Sequence, residues 1–433
     1  MDSTALVWFR NDLRMVDNLS LTKATAHHKK VIAIFCFDPR HFKSTSYGFK
    51  KTEYYRAKFL LETVEELRDT LQTYNITLFT YFDYPENCIP ELIHKHAITE
   101  VYLQKEWTHE ECIIEANVKN KLPQRAIKWT ASYDQFLINP EQLPIPIQSL
   151  PRVFTDFRKL CEHRCTVQRP STIKRLSSTN YITNHTKLPT IETLGYQSRT
   201  IDSRSAFPFK GGTLQAQNRI KDYFWQSHNL STYKKTRNGL IGPHYSSKLS
   251  AWLANGSISA RTIYWEIKKY EKDVIKNDST YWLIFELIWR DFFKYVSLKY
   301  GNKIFSIDGI LQKKYAWSTD KVKLNAWISG QTKEPFVNAN MIELGKTGWM
   351  SNRGRQNVAS YLTKDQKIDW RIGAAYFEAF LIDYDVHSNY GNWMYVAGVG
   401  NDPRDRKFNI ELQAKRYDPQ QKFQQLWLQP ILF

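Results

Sequence analysis

Residues 5–14 read Ala5-Leu6-Val7-Trp8-Phe9-Arg10-Asn11-Asp12-Leu13-Arg14, and this stretch decides the fold. Five apolar residues run together and stop at a charged turn, the pattern of a short strand entering a loop. Four more short apolar runs follow, at 31–37, 76–81, 99–103 and 126–130, with helical patterns between them, the longest at 53–74. This alternation predicts a parallel sheet with helices on both faces. An ordinary dinucleotide fold carries Gly-x-Gly-x-x-Gly after its first strand. Here that place is taken by Trp8 to Arg14. The N-terminal α/β domain, placed at 1–138, is therefore Rossmann-like in layout without being an NAD site.

Outward from this domain the alternation stops. Pro140, Pro144, Pro146 and Pro151 open a stretch rich in Ser and Thr. We read 139–210 as an interdomain connection with one short helix near 152–165, since structureless segments of this length link domains or carry function. After Gly211-Gly212 the period is helical, with helices expected at 213–225, 247–254, 260–270, 281–300, 322–329, 335–345, 353–362 and 370–381. Residues 211–433 are thus an all-α C-terminal domain, and two domains suit a chain of 433 residues.

No apolar run reaches ~18 residues, so no membrane span is expected. Met1-Asp2-Ser3-Thr4 leads into the first strand without a signal or transit pattern, which predicts a cytoplasmic protein. The five cysteines, Cys36, Cys88, Cys112, Cys161 and Cys165, include no Cys-x-x-Cys pair and predict neither a disulfide framework nor a metal site. The net charge of +18 favours polyanions. Aromatic residues at 15%, with 14 Trp, suit stacking on bases, or equally a large aromatic core.

Four segments can carry chemistry. Tyr245-Ser246-Ser247-Lys248-Leu249-Ser250 places small hydroxyls at an expected helix start, where free backbone N–H groups favour an anion; a plain Ser N-cap reads the same way. Glu286, Trp289 and Arg290 fall at i, i+3 and i+4, so an acid, a ring and a cation share one helix face, or Glu286 and Arg290 form an ordinary pair. Asn352-Arg353-Gly354-Arg355-Gln356 can grip phosphates and base edges, or be a solvated basic helix start. Asp383 and Asp385, ahead of Asn389 and Trp393, can pair with Arg355 and bond a ribose or a flavin edge, or form a polar turn.

Taken in order, these segments, the opening Val7-Trp8-Phe9-Arg10-Asn11-Asp12-Leu13-Arg14 and Ile368-Asp369-Trp370-Arg371 resemble the cryptochrome/DNA photolyase family over almost the whole chain. The resemblance implies an FAD-binding helical domain holding the cofactor folded into a U. By it, Tyr233, Ser246, Ser247, Leu249 and Ser250 surround the diphosphate, and Glu286 and Arg290 line the pocket. Arg355 pairs with Asp383, Asp383 and Asp385 meet flavin and ribose, and Asn389 lies near flavin N5. Trp393, Trp370 and Trp317, spaced by 23 and 53 residues, match the family's electron relay from flavin to solvent.

The same resemblance implies a blue-light flavoprotein that repairs cyclobutane pyrimidine dimers, flipped out of the stack beside the flavin. Glu286 hydrogen-bonds the dimer, Trp289 packs on it, and Asn352 and Arg353 hold the rim. Gln356 and Tyr395 stand where duplex-DNA photolyases carry Met and Trp. The more polar pocket, with one stacking ring fewer, resembles the DASH cryptochromes and favours single-stranded DNA. Residues 400–405, Gly400-Asn401-Asp402-Pro403-Arg404-Asp405, and the expected lack of a signalling tail beyond Leu426-Trp427-Leu428-Gln429-Pro430 agree with that branch. Single-stranded dimer-containing DNA is the implied partner, RNA a further polyanion, and the protein a monomer. A methenyltetrahydrofolate antenna is common in the family, and Glu106 is its candidate contact. A photoreceptor without repair turnover is the competing function.

Overall fold

The computed structural model describes residues 3–122, 127–402 and 404–429. Strands β1 (Thr4–Trp8), β2 (Lys30–Cys36), β3 (Leu78–Tyr81), β4 (Ile98–Gln104) and β5 (Lys128–Ser132) form one parallel sheet in the order β3-β2-β1-β4-β5. Successive side chains of β1 go to opposite faces. Ala5 and Val7 pack with Val31 and Ala33 beneath α1 (Leu19–His27) and α2 (Tyr54–Thr73). Leu6 and Trp8 pack with Ile32 and Ile34 beneath α3 (Pro85–Lys95) and α4 (His109–Asn120). Both faces are buried, which is why the strand is apolar throughout. The strand order reverses between β1 and β4, and open α/β sheets bind ligands at that point, beyond the strands' carboxyl ends.

The third strand starts later than the sequence suggests, because the Ile76 backbone N–H closes the end of α2 on Leu71 O (3.0 Å). Ala126, the first residue of the expected fifth strand, and Pro403, within the phrase at 400–405, lie outside the described residues, as do Pro430 and Phe433.

The segment after β5 is irregular but tightly laid down. It contains α5 (Phe154–Arg164), and Leu194 and Tyr196 join the α2 face of the sheet. Asn180 stands in for a strand residue: its side chain accepts from Val31 N (2.8 Å) and donates to Val31 O (2.9 Å).

The helical half comprises α6 (Thr213–Ile220), α7 (Tyr233–Thr236), α8 (Ser250–Ala254), α9 (Ala260–Asp273), α10 (Asp278–Tyr300), α11 (Lys321–Ile328), α12 (Pro335–Thr347), α13 (Asn352–Ser360), α14 (Trp370–Phe380), α15 (Val386–Ala397), α16 (Ile410–Tyr417) and α17 (Lys422–Leu428). α10 begins at a capping box, Asn277 with Thr280, and packs on α5, α7, α9 and α15. Two expectations need correction. The helix expected from 247 starts at Ser250, with no side chain capping it, so the serines before it are loop residues and not caps. Residues 386–397, read only as a motif, form α15. Ser388, Asn389 and Asn392 interrupt its apolar period, yet Asn389 Nδ2 bonds Ala374 O (3.0 Å) and Asn392 Nδ2 bonds Ser388 O (2.7 Å). Among the described residues no helix is long and apolar enough to cross a membrane.

The two halves dock through buried charge. Asp134, just past β5, accepts from Arg14 Nη2 (2.9 Å), Arg261 Nη2 (2.5 Å) and Leu19 N (2.9 Å). Arg261 Nε also reaches Asp17 (2.9 Å), and Asp291 of α10 accepts from Leu137 N (3.0 Å) and Ile138 N (2.9 Å).

Candidate cofactor site and substrate rim

The loop at 246–250 is shaped from behind by Arg219, which the sequence reading missed. Its buried guanidinium donates to Pro243 O (2.9 Å), Ser246 O (3.0 Å) and Ser247 O (3.0 Å). Three carbonyls are thereby turned inward, and Asp222 neutralises the cation at 2.5 Å. Ser247 and Leu249 are buried, Ser246 half-buried and Ser250 exposed. Tyr233, buried at the start of α7, has its hydroxyl pushed up by burial, with Glu286 adding to the effect.

Asp383 and Asp385 sit two residues apart but serve different cations. Both Asp383 oxygens accept from Arg355 Nη2 (2.9 and 3.0 Å), and Arg355 Nε holds Met350 O (3.0 Å). Asp385 instead pairs with Lys294 (3.0 Å) and accepts from Ser388 Oγ (2.6 Å). Burial raises the Asp385 pKa, but Lys294, His387 and Arg290 outweigh it and hold the carboxyl well below its usual range. Asn389 is buried, and its amide nitrogen donates to Ala374 O.

Glu286, Trp289 and Arg290 share α10 yet do not converge. Arg290 turns inward to Gln135 O (2.5 Å) and Leu253 O (3.2 Å), across the domain boundary. Glu286 pairs with Arg237 (2.5 Å) rather than Arg290. Helical spacing put them on one side; the available partners decided where each side chain went. Trp289 stacks flat on Phe154 (3.6 Å between centroids, 11°) and meets Tyr395 edge-on (6.5 Å).

The rim is one hydrogen-bonded string from α10 to α13. Glu286 holds Arg237, Asn238 follows it, and Asn238 Oδ1 accepts from Arg353 Nη2 (3.2 Å). Arg353 Nη1 donates to Gln356 Oε1 (2.8 Å), and its guanidinium lies over Tyr417 (4.5 Å). Asn352 is exposed beside them. Burial raises the Glu286 pKa and the Arg237 charge lowers it, with a net upward shift.

Trp393 and Trp370 are buried and Trp317 is half-buried, so only the last ring of the expected relay reaches toward solvent. Ser318, next to Trp317, accepts from Asp369 N (3.2 Å) and donates to Lys367 O (2.6 Å), which ties that indole's segment to the start of α14 at Trp370. One turn along α14, Gly373 lies against the Trp393 ring: a Cβ there would come within 2.3 Å of Cη2. Unforeseen was a fourth indole, Trp327, 6.4 Å from Trp393 and fully buried.

Glu106 lies across the domain boundary from this machinery, on a cavity of about 510 Å³. Trp8, Arg10 and Gln104 line the cavity from the carboxyl ends of β1 and β4, and Arg290, Lys294 and Asp385 line it from the helices. Burial and the nearby Glu111 raise the Glu106 pKa to about 7, and Gln104 Nε2 donates to it (2.7 Å). Of the site residues named from sequence, only Glu106, Arg290 and Asp385 line this cavity.

The donor set fits FAD. Among the described residues, Lys248 Nζ, in the 246–250 loop where a diphosphate is expected, and both oxygens of Glu343, which acts on it electrostatically, are buried without a hydrogen-bond partner. Native interiors seldom leave such groups unpaired.

Comparisons with known proteins agree. Residues 5–175 match the family model described as DNA photolyase, and residues 282–431 match the FAD binding domain of DNA photolyase. Cryptochrome DASH of Synechocystis is 46% identical over 429 residues, 98% of this chain and 87% of that protein. Cryptochrome DASH of Xenopus laevis is 46% identical, over 97% of this chain and 81% of that protein. The crystal structure of Synechocystis cryptochrome superposes with a TM-score of 0.94 at 45% identity, covering 98% of this chain and 88% of that one. The chain belongs to the cryptochrome/DNA photolyase family, among the DASH cryptochromes, and its helical half is that family's FAD-binding domain.

Proposed function

We propose that the protein is a light-driven deoxyribodipyrimidine photolyase that acts on cyclobutane pyrimidine dimers in single-stranded DNA. The observation that carries this reading is the string Glu286–Arg237–Asn238–Arg353–Gln356 along one rim. It sets a carboxylate and an amide beside guanidinium groups, the mixture needed to bond pyrimidine edges and hold the flanking phosphates. When bound, FAD supplies light absorption and the electron that opens the cyclobutane ring. The chain's residues bind and orient. Arg355–Asp383 fixes a polar wall of the flavin pocket, and Asn389 offers its carbonyl oxygen at the flavin. Arg237 positions Glu286, whose raised pKa suits a group that meets base edges out of water. Trp289 already has one face stacked on Phe154 and meets Tyr395 edge-on, so little ring surface is left to draw a base out of a duplex. An unpaired lesion is therefore the better substrate.

Replacing Glu286 with Ala removes a charge-assisted hydrogen bond worth about 1.5–3 kcal/mol, a loss of roughly 10–150-fold in repair rate. FAD content stays near that of the unaltered protein, and the ratio of flavin to protein absorbance measures it. Equal losses of repair and FAD make Glu286 a structural residue instead. Affinity for a single-stranded oligonucleotide falls with salt, by roughly 0.7 log units per log unit of salt for each phosphate contacted. A flat response in a fluorescence-anisotropy titration contradicts the polyanion reading. Light-dependent binding of a partner, with no repair, moves the assignment to a photoreceptor.

We also place a methenyltetrahydrofolate antenna in the cavity beside Glu106. Its volume of about 510 Å³ and its mix of aromatic and charged lining support this, as does its place at the switch between β1 and β4. A separate near-ultraviolet band, lost on Glu106→Ala, is the expected signature.

A further inference from the structure

Lys248 occupies the middle of the 246–250 loop with its backbone at φ +63°, a left-handed conformation that lysine rarely adopts. This turn carries the side chain inward. Lys248 is 2% exposed, and its Nζ lies 3.1 Å above the centre of the Tyr245 ring and 4.9 Å from that of Trp349. Among the described residues Nζ has no hydrogen-bond acceptor. Glu343, on α12, is 1% exposed, and both its carboxyl oxygens are likewise unpartnered. Two buried groups of opposite ionic type thus act on each other without forming an ion pair, and neither has a hydrogen-bond partner among the described residues.

The surrounding charges do not resolve this. Arg219 of α6, Arg355 of α13 and Asp383 act on Lys248 from the neighbouring elements, and Arg355 acts on Glu343. Asp383 is already engaged by Arg355, and Arg219 by Asp222. Tyr245 adds a phenol that burial keeps neutral. Lys248 and Glu343 are therefore left to each other. Burial pushes the Lys248 ammonium well below its usual range and the Glu343 carboxyl up to about 8. A single proton satisfies the pair, either as amine and carboxylic acid or as ammonium and carboxylate.

We propose that this pair is a proton reservoir for cofactor binding: when the diphosphate of FAD settles on the 246–250 loop, Lys248 and Glu343 take up about one further proton and become the loop's buried counter-charge. The inference rests on that loop being the diphosphate site. Two negative charges brought close in a medium of low polarity favour protonation of both groups. The sign follows. Binding adds a proton, so affinity falls as pH rises, by at most about tenfold per pH unit for one coupled proton.

The test is calorimetric titration of the apoprotein with FAD at pH 8, in two buffers with different heats of ionisation. The buffer-dependent part of the heat counts the protons. The expected result is uptake approaching one proton, and a dissociation constant that rises between pH 7 and pH 8. Lys248→Met loses the uptake and binds FAD more weakly. Lys248→Arg stays charged throughout, so it binds FAD without the uptake and with a flatter pH profile. FAD binding to the unaltered protein without proton uptake overturns the proposal, whether or not a variant folds. So does equal uptake by Lys248→Arg. Failure of FAD to bind at all instead strikes at the loop's assignment as the cofactor site, and the proposal falls with it.

Discussion

Trp393→Phe abolishes photoreduction of the bound flavin and leaves FAD in place. Phe preserves a ring against Gly373 and Phe377, so packing changes little. The indole Nε1 has no hydrogen-bond partner among the described residues, so its removal orphans no acceptor. What is lost is the oxidisable ring at the head of the proposed relay. Trp327→Phe is the informative control. Trp327 lies 6.4 Å from Trp393, but it is fully buried and its Nε1 is spent on Val358 O (3.1 Å). Trp317 alone of the proposed three is half-exposed, so an electron hole leaves by Trp370 and Trp317. Photoreduction followed by the bleaching of the flavin bands under blue light separates the cases. Trp393→Phe stays oxidised and Trp327→Phe reduces normally. The reverse result moves the relay to the fourth indole.

Asp134→Ala has the largest expected effect on stability. The carboxylate is fully buried and holds two buried guanidinium groups, Arg14 and Arg261, together with the Leu19 amide at the start of α1. Removing one partner of a buried ion pair leaves uncompensated charge and costs about 3–5 kcal/mol. Asp17, on the far side of Arg261, cannot neutralise both cations. Since Arg261 belongs to the helical half and Arg14 to the α/β half, the loss falls on the junction that bounds the 510 Å³ cavity. Chemical denaturation should show a lower midpoint, and FAD should be released before the far-ultraviolet signal of the helices is lost. An unchanged midpoint would mean that the junction is held chiefly by apolar packing.

How much of this was legible in the sequence depended on range. The opening strand was readable because its apolar residues are consecutive, and double burial of a parallel strand demands that. The Arg355–Asp383 pair was readable because a recognised motif names both partners. Arg219, Arg237, Lys248 and Glu343 were not. Arg219 acts on backbone carbonyls 24 to 28 residues away, which no side-chain pattern records. Arg237 takes Glu286 from the Arg290 that helical spacing offered it. Lys248 reads as a surface cation until the left-handed turn at its own backbone drives it inward. The helix at 386–397 escaped notice because the asparagines that mark it for function also break its apolar period.

The most direct measurement of the central claim is repair itself. The protein, with its flavin fully reduced, is illuminated with blue light in the presence of a single-stranded oligonucleotide carrying one thymine dimer. The recovery of thymine absorbance is followed and compared with the same lesion in a duplex. The account predicts recovery on the single strand, slower recovery on the duplex, and none in the dark. No recovery on the single strand, from protein that holds FAD and photoreduces it, would contradict it.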